Sequence, residues 1–108
     1  DMVLRGGENI YCAEVEATLH RHSGVAECSA FGVPDARLGE EIGVAVVPHG
    51  GSSISANELR EHCAVLVAKH KVPRYIWILP EGLPRNANGK ILKNELRALL
   101  AETGLAES

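Results

Sequence analysis

Lys90 is the residue of this chain whose setting points most directly to chemistry. It stands in Pro84-Arg85-Asn86-Ala87-Asn88-Gly89-Lys90-Ile91-Leu92, just after an Asn-Gly pair. Asn-Gly is a strong turn signal because both residues tolerate positive φ. A lysine leaving such a turn is a point charge presented from a fixed platform, suited to an anionic group. Taken alone, the same pattern also describes a solvated loop lysine. A second candidate is Arg5-Gly6-Gly7-Glu8. It reads either as a turn between two short strands or as a loop whose bare backbone lines a narrow ligand channel. Composition does not choose between them. A third is the basic cluster Lys69, Lys71 and Arg74 around Pro73. It would complement a helix C-terminus or contact phosphates.

The other reactive residue types form no constellation. His20, His22, His49, His62 and His70 do not converge, and no His-x-x-x-His pair exists, so no metal site is expected. His20 and His22 diverge on a helix. Cys12, Cys28 and Cys63 are scattered without a Cys-x-x-Cys pair. Cys12 at a helix start would have a lowered pKa if exposed, or would be a small buried residue at the helix entry. Glu40-Glu41 is expected to be an exposed hairpin flank, and Glu14 and Glu16 a solvated helical face.

These candidates need elements to hold them. Met2-Val3-Leu4 and Ile10-Tyr11 suit two short strands flanking the double glycine. Ala13 to His22 has helical spacing, with Val15 and Leu19 on one face, and Ser23-Gly24 ends it. Val25 to Val33 reads as a strand with Val25, Ser29, Phe31 and Val33 on one face. Pro34-Asp35 begins a turn to Gly39, and Ile42 to Val47 is a second, largely buried strand, antiparallel to the first. Ser55-Ala56-Asn57-Glu58 is a capping box: the Ser takes a backbone N–H and the Glu reaches back. The helix after it should turn Leu59, Cys63, Leu66 and Val67 inward, place Lys69 and Lys71 near its end, and close at Pro73. Tyr75 to Leu79 is a third strand. A last helix carries Leu96, Leu99 and Leu100 and stops at Gly104. The order predicts an α+β fold: a small antiparallel sheet with helices packed on one or both faces, preceded by a short two-stranded β lead-in.

The 108 residues allow one domain with one modest core. A net charge of -3 and 4% aromatics argue against a nucleic-acid partner. The odd, scattered cysteines suit a reducing, cytoplasmic setting. No apolar run is long enough for a transmembrane segment. The chain begins with Asp1 and not Met, so a fragment of a longer protein is expected.

Four segments in register resemble one family. Asp1-Met2-Val3-Leu4-Arg5-Gly6-Gly7-Glu8-Asn9-Ile10 resembles the glycine-rich motif that opens the C-terminal domain of adenylate-forming enzymes. Gly32-Val33-Pro34-Asp35 with Gly39-Glu40 is similar to that domain's first hairpin. Lys71-Val72-Pro73-Arg74 is similar to the segment before its last strand. Pro84 to Lys93 resembles its terminal lysine motif. Within that superfamily, Gly6-Gly7-Glu8-Asn9-Ile10 looks most like AMP-forming acyl- or aryl-CoA synthetases. Cys12 stands where the family usually has Pro. Leu38 stands where many relatives place an aromatic residue against the adenine of CoA.

The resemblance implies a two-step ligase for a fatty or other acyl acid. ATP and the carboxylic acid give acyl-adenylate and pyrophosphate, and CoA then gives acyl-CoA and AMP. Residues 1–108 would be the mobile lid. A large N-terminal domain would carry most of the ATP, Mg²⁺ and acyl sites, with a hinge at or just before Asp1. Lys90 would serve adenylation. Gly6 and Gly7 would line the pantetheine channel, Glu8 would order that loop, and Lys71 and Arg74 would meet CoA's phosphates. The isolated domain is expected to be inactive. Two alternatives stay open: a non-catalytic, ferredoxin-like module for a small ligand, and a ligase that loads a carrier protein instead of CoA.

Overall fold

The chain opens on a tight hairpin, β1 (Met2–Arg5) against β2 (Glu8–Tyr11). It is seen in a computed structural model that describes residues 2–50 and 52–102, with backbone only at 99, 101 and 102. The turn needs its glycines: Gly6 and Gly7 have φ of 56° and 87°. Alternation along the hairpin buries Val3 and Ile10 and exposes Met2, Leu4 and Tyr11. α1 (Cys12–His20) follows at once and buries Cys12, Val15 and Leu19.

β3 (Val25–Asp35) and β4 (Gly39–Pro48) form a long antiparallel hairpin. Its turn is tied by the Asp35 carboxylate, which accepts from the N–H groups of Arg37 and Leu38 at 2.9 and 2.8 Å. α2 (Ala56–Leu66) is capped by Ser55, whose Oγ accepts from Glu58 N at 3.1 Å. A 3₁₀ turn (Lys69–Lys71), β5 (Tyr75–Ile78), the lysine loop and α3 (Lys93–Glu102) complete the order.

The sheet runs β2-β1-β4-β3, and β5 joins β4 in parallel at Gly43–Val46. β4 thus meets β3 along one side and β1, then β5, along the other. Both its faces are covered. Ile42, Val44 and Val46 pack toward α1 and α2, and Ala45 and Val47 toward α3. Each large apolar side chain buried this way contributes about 1.5–3 kcal/mol. The expected α+β architecture with its two-stranded lead-in is present, with helices on both faces.

Local expectations fail where distant contacts or an inserted residue intervene. At Ala26 the register shifts: Val25 pairs with Pro48 but Glu27 with Val47. This bulge turns Val25 toward the α1–α2 core, away from Phe31 and Val33. α2 stops at Leu66, which is exposed and does not turn inward. Lys69 and Lys71 therefore lie beyond the helix in their own turn, and Pro73 is buried in the core. Glu58 does not reach back to complete the capping box; its carboxylate meets His22 Nε2 at 2.8 Å. The expected hinge at Asp1 and helix stop at Gly104 lie outside the described residues. Among the described residues no helix is long and apolar enough to cross a membrane.

Candidate functional site

The lysine loop is a small closed structure with Asn86 at its centre. Asn86 Oδ1 accepts from the N–H groups of Asn88 and Lys90 at 2.9 and 3.0 Å. Asn86 N donates to Lys90 O at 3.0 Å, and Gly89 N to Asn86 O at 2.9 Å. An Asn side chain that folds back on its own following backbone is a recognised turn device. Gly89 supplies the positive φ of 83°, while Asn88 does not adopt one. Arg85 and Ile91 pair across the loop base, and Arg85 Nη1 donates to Gly89 O at 2.7 Å. Lys90 is exposed at the tip, beside an open groove of about 790 Å³ lined by Arg85, Asn86, Ile91, Lys93 and Glu95. The platform expected under Lys90 exists, and the sequence reading missed its principal organiser, Asn86.

The glycine hairpin is bound just as firmly. Gly6 N donates to Leu38 O at 2.8 Å, and a Cβ on Gly6 would stand 3.2 Å from Leu38 Cδ2. Leu4 N donates to Glu40 Oε1 at 2.8 Å. Arg5 Nε donates to Glu41 Oε1 at 2.6 Å, and the same oxygen accepts from Ile42 N at 3.1 Å. Glu41 is buried, contrary to the exposed flank expected, because Arg5 and a backbone N–H satisfy its carboxylate. Gly7 faces open space, and Glu8 beside it is exposed.

The basic residues split into two settings. Lys71 Nζ lies 3.1 Å from both carboxylate oxygens of Glu14. Arg74 is exposed, its guanidinium 5.1 Å from the Tyr75 ring centre. With Arg5, Arg60, Lys69 and the buried Glu41 it lines a cleft of about 480 Å³. Glu16 likewise accepts from Lys93 Nζ at 3.0 Å, so three carboxylates thought to be solvated or peripheral, Glu14, Glu16 and Glu41, hold cations of other elements. Only sign complementarity could have hinted at those partners.

The thiols are structural. Burial raises Cys12, Cys28 and Cys63 above the ordinary thiol value, Cys28 to about 12 and Cys63 to about 11. A helix start does not activate Cys12, because desolvation outweighs the cation Lys93 nearby. His22 Nδ1 accepts from Gly24 N at 3.0 Å, so its proton sits on Nε2 and faces Glu58.

The two loops stand far apart. The glycine hairpin joins the sheet where Arg5 pairs with Gly39, at the Asp35 end of β3. The lysine loop joins at the other end of β3, where Arg85 pairs with Glu27. At about 3.3 Å per residue, the strand between these anchors spans roughly 25 Å. The two loops are thus anchored toward different ends of β3.

Residues 14–90 match the family described as the AMP-binding enzyme C-terminal domain. The medium-chain acyl-CoA ligase ACSF2, mitochondrial, of Rattus norvegicus is 42% identical over 97 residues, covering 90% of this chain and 16% of that protein. The apo crystal structure of MatB from Rhodopseudomonas palustris superposes with a TM-score of 0.89 at 34% identity, over 95% of this chain and 20% of that one. The o-succinylbenzoate CoA synthetase MenE of Bacillus subtilis, in complex with the acyl-adenylate intermediate OSB-AMP, gives 0.81 at 41% identity, over 90% and 19%. The chain thus spans about a fifth or less of the proteins it matches. These likenesses displace the reading of a ferredoxin-like ligand module.

Proposed function

The chain belongs to the AMP-binding enzyme C-terminal domain family, a domain of AMP-forming acyl-CoA synthetases, and on that premise we propose that it is the mobile lid of an ATP-dependent carboxylic acid–CoA ligase. The observation that carries this reading is the separation of the glycine and lysine loops at opposite ends of β3. A rigid domain with two distant loops can deliver each to the same centre only by turning between steps. An N-terminal body would hold ATP, Mg²⁺ and the acid, and the hinge would adjoin Asp1.

In the first pose Lys90 meets the acid's carboxylate and the α-phosphate of ATP. Two such anions at about 4 Å repel by on the order of 4 kcal/mol at an effective dielectric of 20. A cation between them offsets that repulsion. It favours the transition state most, because there the attacking oxygen is closest to phosphorus. The carboxylate oxygen bonds to the α-phosphorus and pyrophosphate leaves. The Asn86-centred loop keeps the Lys90 backbone fixed, so little ordering remains to be done when substrate arrives.

In the second pose Lys90 is withdrawn and Gly6 and Gly7 line the channel for pantetheine. The thiol sulfur bonds to the adenylate carbonyl carbon and AMP leaves. Gly7, with φ of 87° and nothing near its Cβ position, leaves the channel wall bare. Glu8 orders the loop at its second strand. Arg74, exposed at a cleft it shares with Arg5, Arg60 and Lys69, would meet CoA's phosphates, whereas Lys71 must first part from Glu14. Leu38 offers the adenine an apolar face without stacking. The acceptor is CoA in this reading; carrier-protein loading has no observation in its favour.

The test is to assay the two half-reactions separately in the full-length ligase. Lys90→Ala should disable adenylation, and Gly7→Val should disable thioester formation. A ligase in which both variants affect the same step would refute the two-pose reading.

A further inference from the structure

The lysine loop is tied to the body of the domain by two carboxylates, one at each end of the loop. Glu27 on β3 pairs with Arg85 Nη2, and the Nη1 of the same guanidinium holds Gly89 O, the carbonyl next to Lys90. Glu16 on α1 accepts from Lys93 Nζ at 3.0 Å and, through the same Oε2, from Ala30 N at 2.8 Å. Arg85 and Lys93 bracket Lys90. Their partners sit on elements whose positions the main core sets: β3 lies in the sheet and α1 buries Cys12, Val15 and Leu19. Residues 85–90 are all exposed, and the apolar anchors of the loop, Leu83 and Ile91, lie at its base against the α3-side core.

We propose that Glu16 and Glu27 are positioning residues for Lys90; the inference rests on Lys90 being the adenylation lysine. Ion pairs as exposed as these, with side chains 25–40% accessible, add little to folding stability. Two such pairs at the ends of one reactive loop are better explained by geometry than by stability. Each removes a way for the loop to slide along β3. A displacement of about 1 Å at a reacting group can cost on the order of 10²-fold in rate, so even a partial loosening should be visible. Adenylation alone should feel it, because Lys90 is out of the centre during thioester formation.

The experiment uses the full-length ligase with Glu16→Gln, Glu27→Gln, Lys90→Ala and the pairwise combinations with Lys90→Ala. Each glutamine variant should slow adenylate formation about tenfold, with KM for ATP and the rate of thioester formation from preformed adenylate within about twofold. The melting temperature should hardly move. In the Lys90→Ala background neither glutamine substitution should slow adenylation further, since there is no lysine left to position. Glu27→Asp, which keeps the charge, should recover part of the rate. The inference is overturned if the glutamine variants adenylate at the full rate, if both half-reactions fall together, or if the loss persists in the Lys90→Ala background. If Lys90→Ala loses adenylation and the glutamine variants do not, the positioning role alone falls. If Lys90→Ala itself adenylates normally, the assigned role of Lys90 falls too.

Discussion

Arg5 Nε lies 2.6 Å from Glu41 Oε1, a contact across 36 positions that fastens the glycine hairpin to the central strand. Glu41's side chain is 7% exposed and Arg5's 28%, so the pair is shielded more than a surface ion pair. Glu41→Gln leaves Arg5 without its charged partner and should destabilise the chain by about 1–3 kcal/mol in urea unfolding. Because the hairpin carries Gly6 and Gly7, the full-length variant should also lose thioester formation more than adenylation. A stability change below about 0.5 kcal/mol would mean the contact contributes no more than a surface pair.

The β3–β4 turn should show a pH signature at Asp35. The backbone N–H groups of Leu38 and Arg37 hold its carboxyl below the ordinary carboxylate value. A depressed folded-state pKa means stability that is present above the unfolded value, about 3.9, and lost as pH falls through the folded one. Asp35→Ala should therefore lower the melting temperature at pH 7, and the gap to the unaltered chain should narrow toward pH 3. A gap independent of pH would show that the charge of Asp35 does not matter to the turn.

The three thiols should be silent in the folded chain. Ellman's reagent at pH 8 should find none reactive before denaturant and three after it, because burial keeps them protonated. The same shifts make the fold sensitive to alkali. Groups raised in the folded state leave stability intact below the ordinary thiol value of 9.0. They withdraw it as pH climbs toward about 11 for Cys63 and about 12 for Cys28. Rapid native labelling of Cys12, at the start of α1, would contradict this.

Gly43 marks a close approach in the sheet. A Cβ there would stand 2.7 Å from Val33 Cγ2 and 3.1 Å from both Phe31 and Trp77. Val33 is stiff in a strand, and Phe31 and Trp77 are stacked at 5.8 Å. Gly43→Ala should cost about 1–3 kcal/mol by overpacking. An unchanged urea midpoint would show that these rings yield.

Much of what is decided within a few residues was readable beforehand. The Gly6-Gly7 turn, the Ser55 cap, the β3–β4 hairpin and the exposed tip at Lys90 all follow from local φ preferences and alternation. The bulge at Ala26 was not legible, because one unpaired residue inverts the faces without changing the residue pattern. The end of α2 at Leu66 was missed because apolar spacing continues past it. Glu14, Glu16 and Glu41 read as solvent-facing since their partners lie 36 to 77 positions away. Lys90 was found through its turn; Asn86, which organises that turn through bonds two and four residues on, was overlooked, and Glu16 and Glu27 emerge only in three dimensions.

Lys90→Ala in the full-length ligase, with pyrophosphate release and thioester formation from preformed adenylate timed separately, tests the central claim most directly. The account predicts that adenylation falls about 10²–10³-fold, the usual loss when a preorganised electrostatic contact is removed, while thioester formation stays within about tenfold of the unaltered rate. Adenylation at the unaltered rate, or an equal fall in both steps, would contradict it.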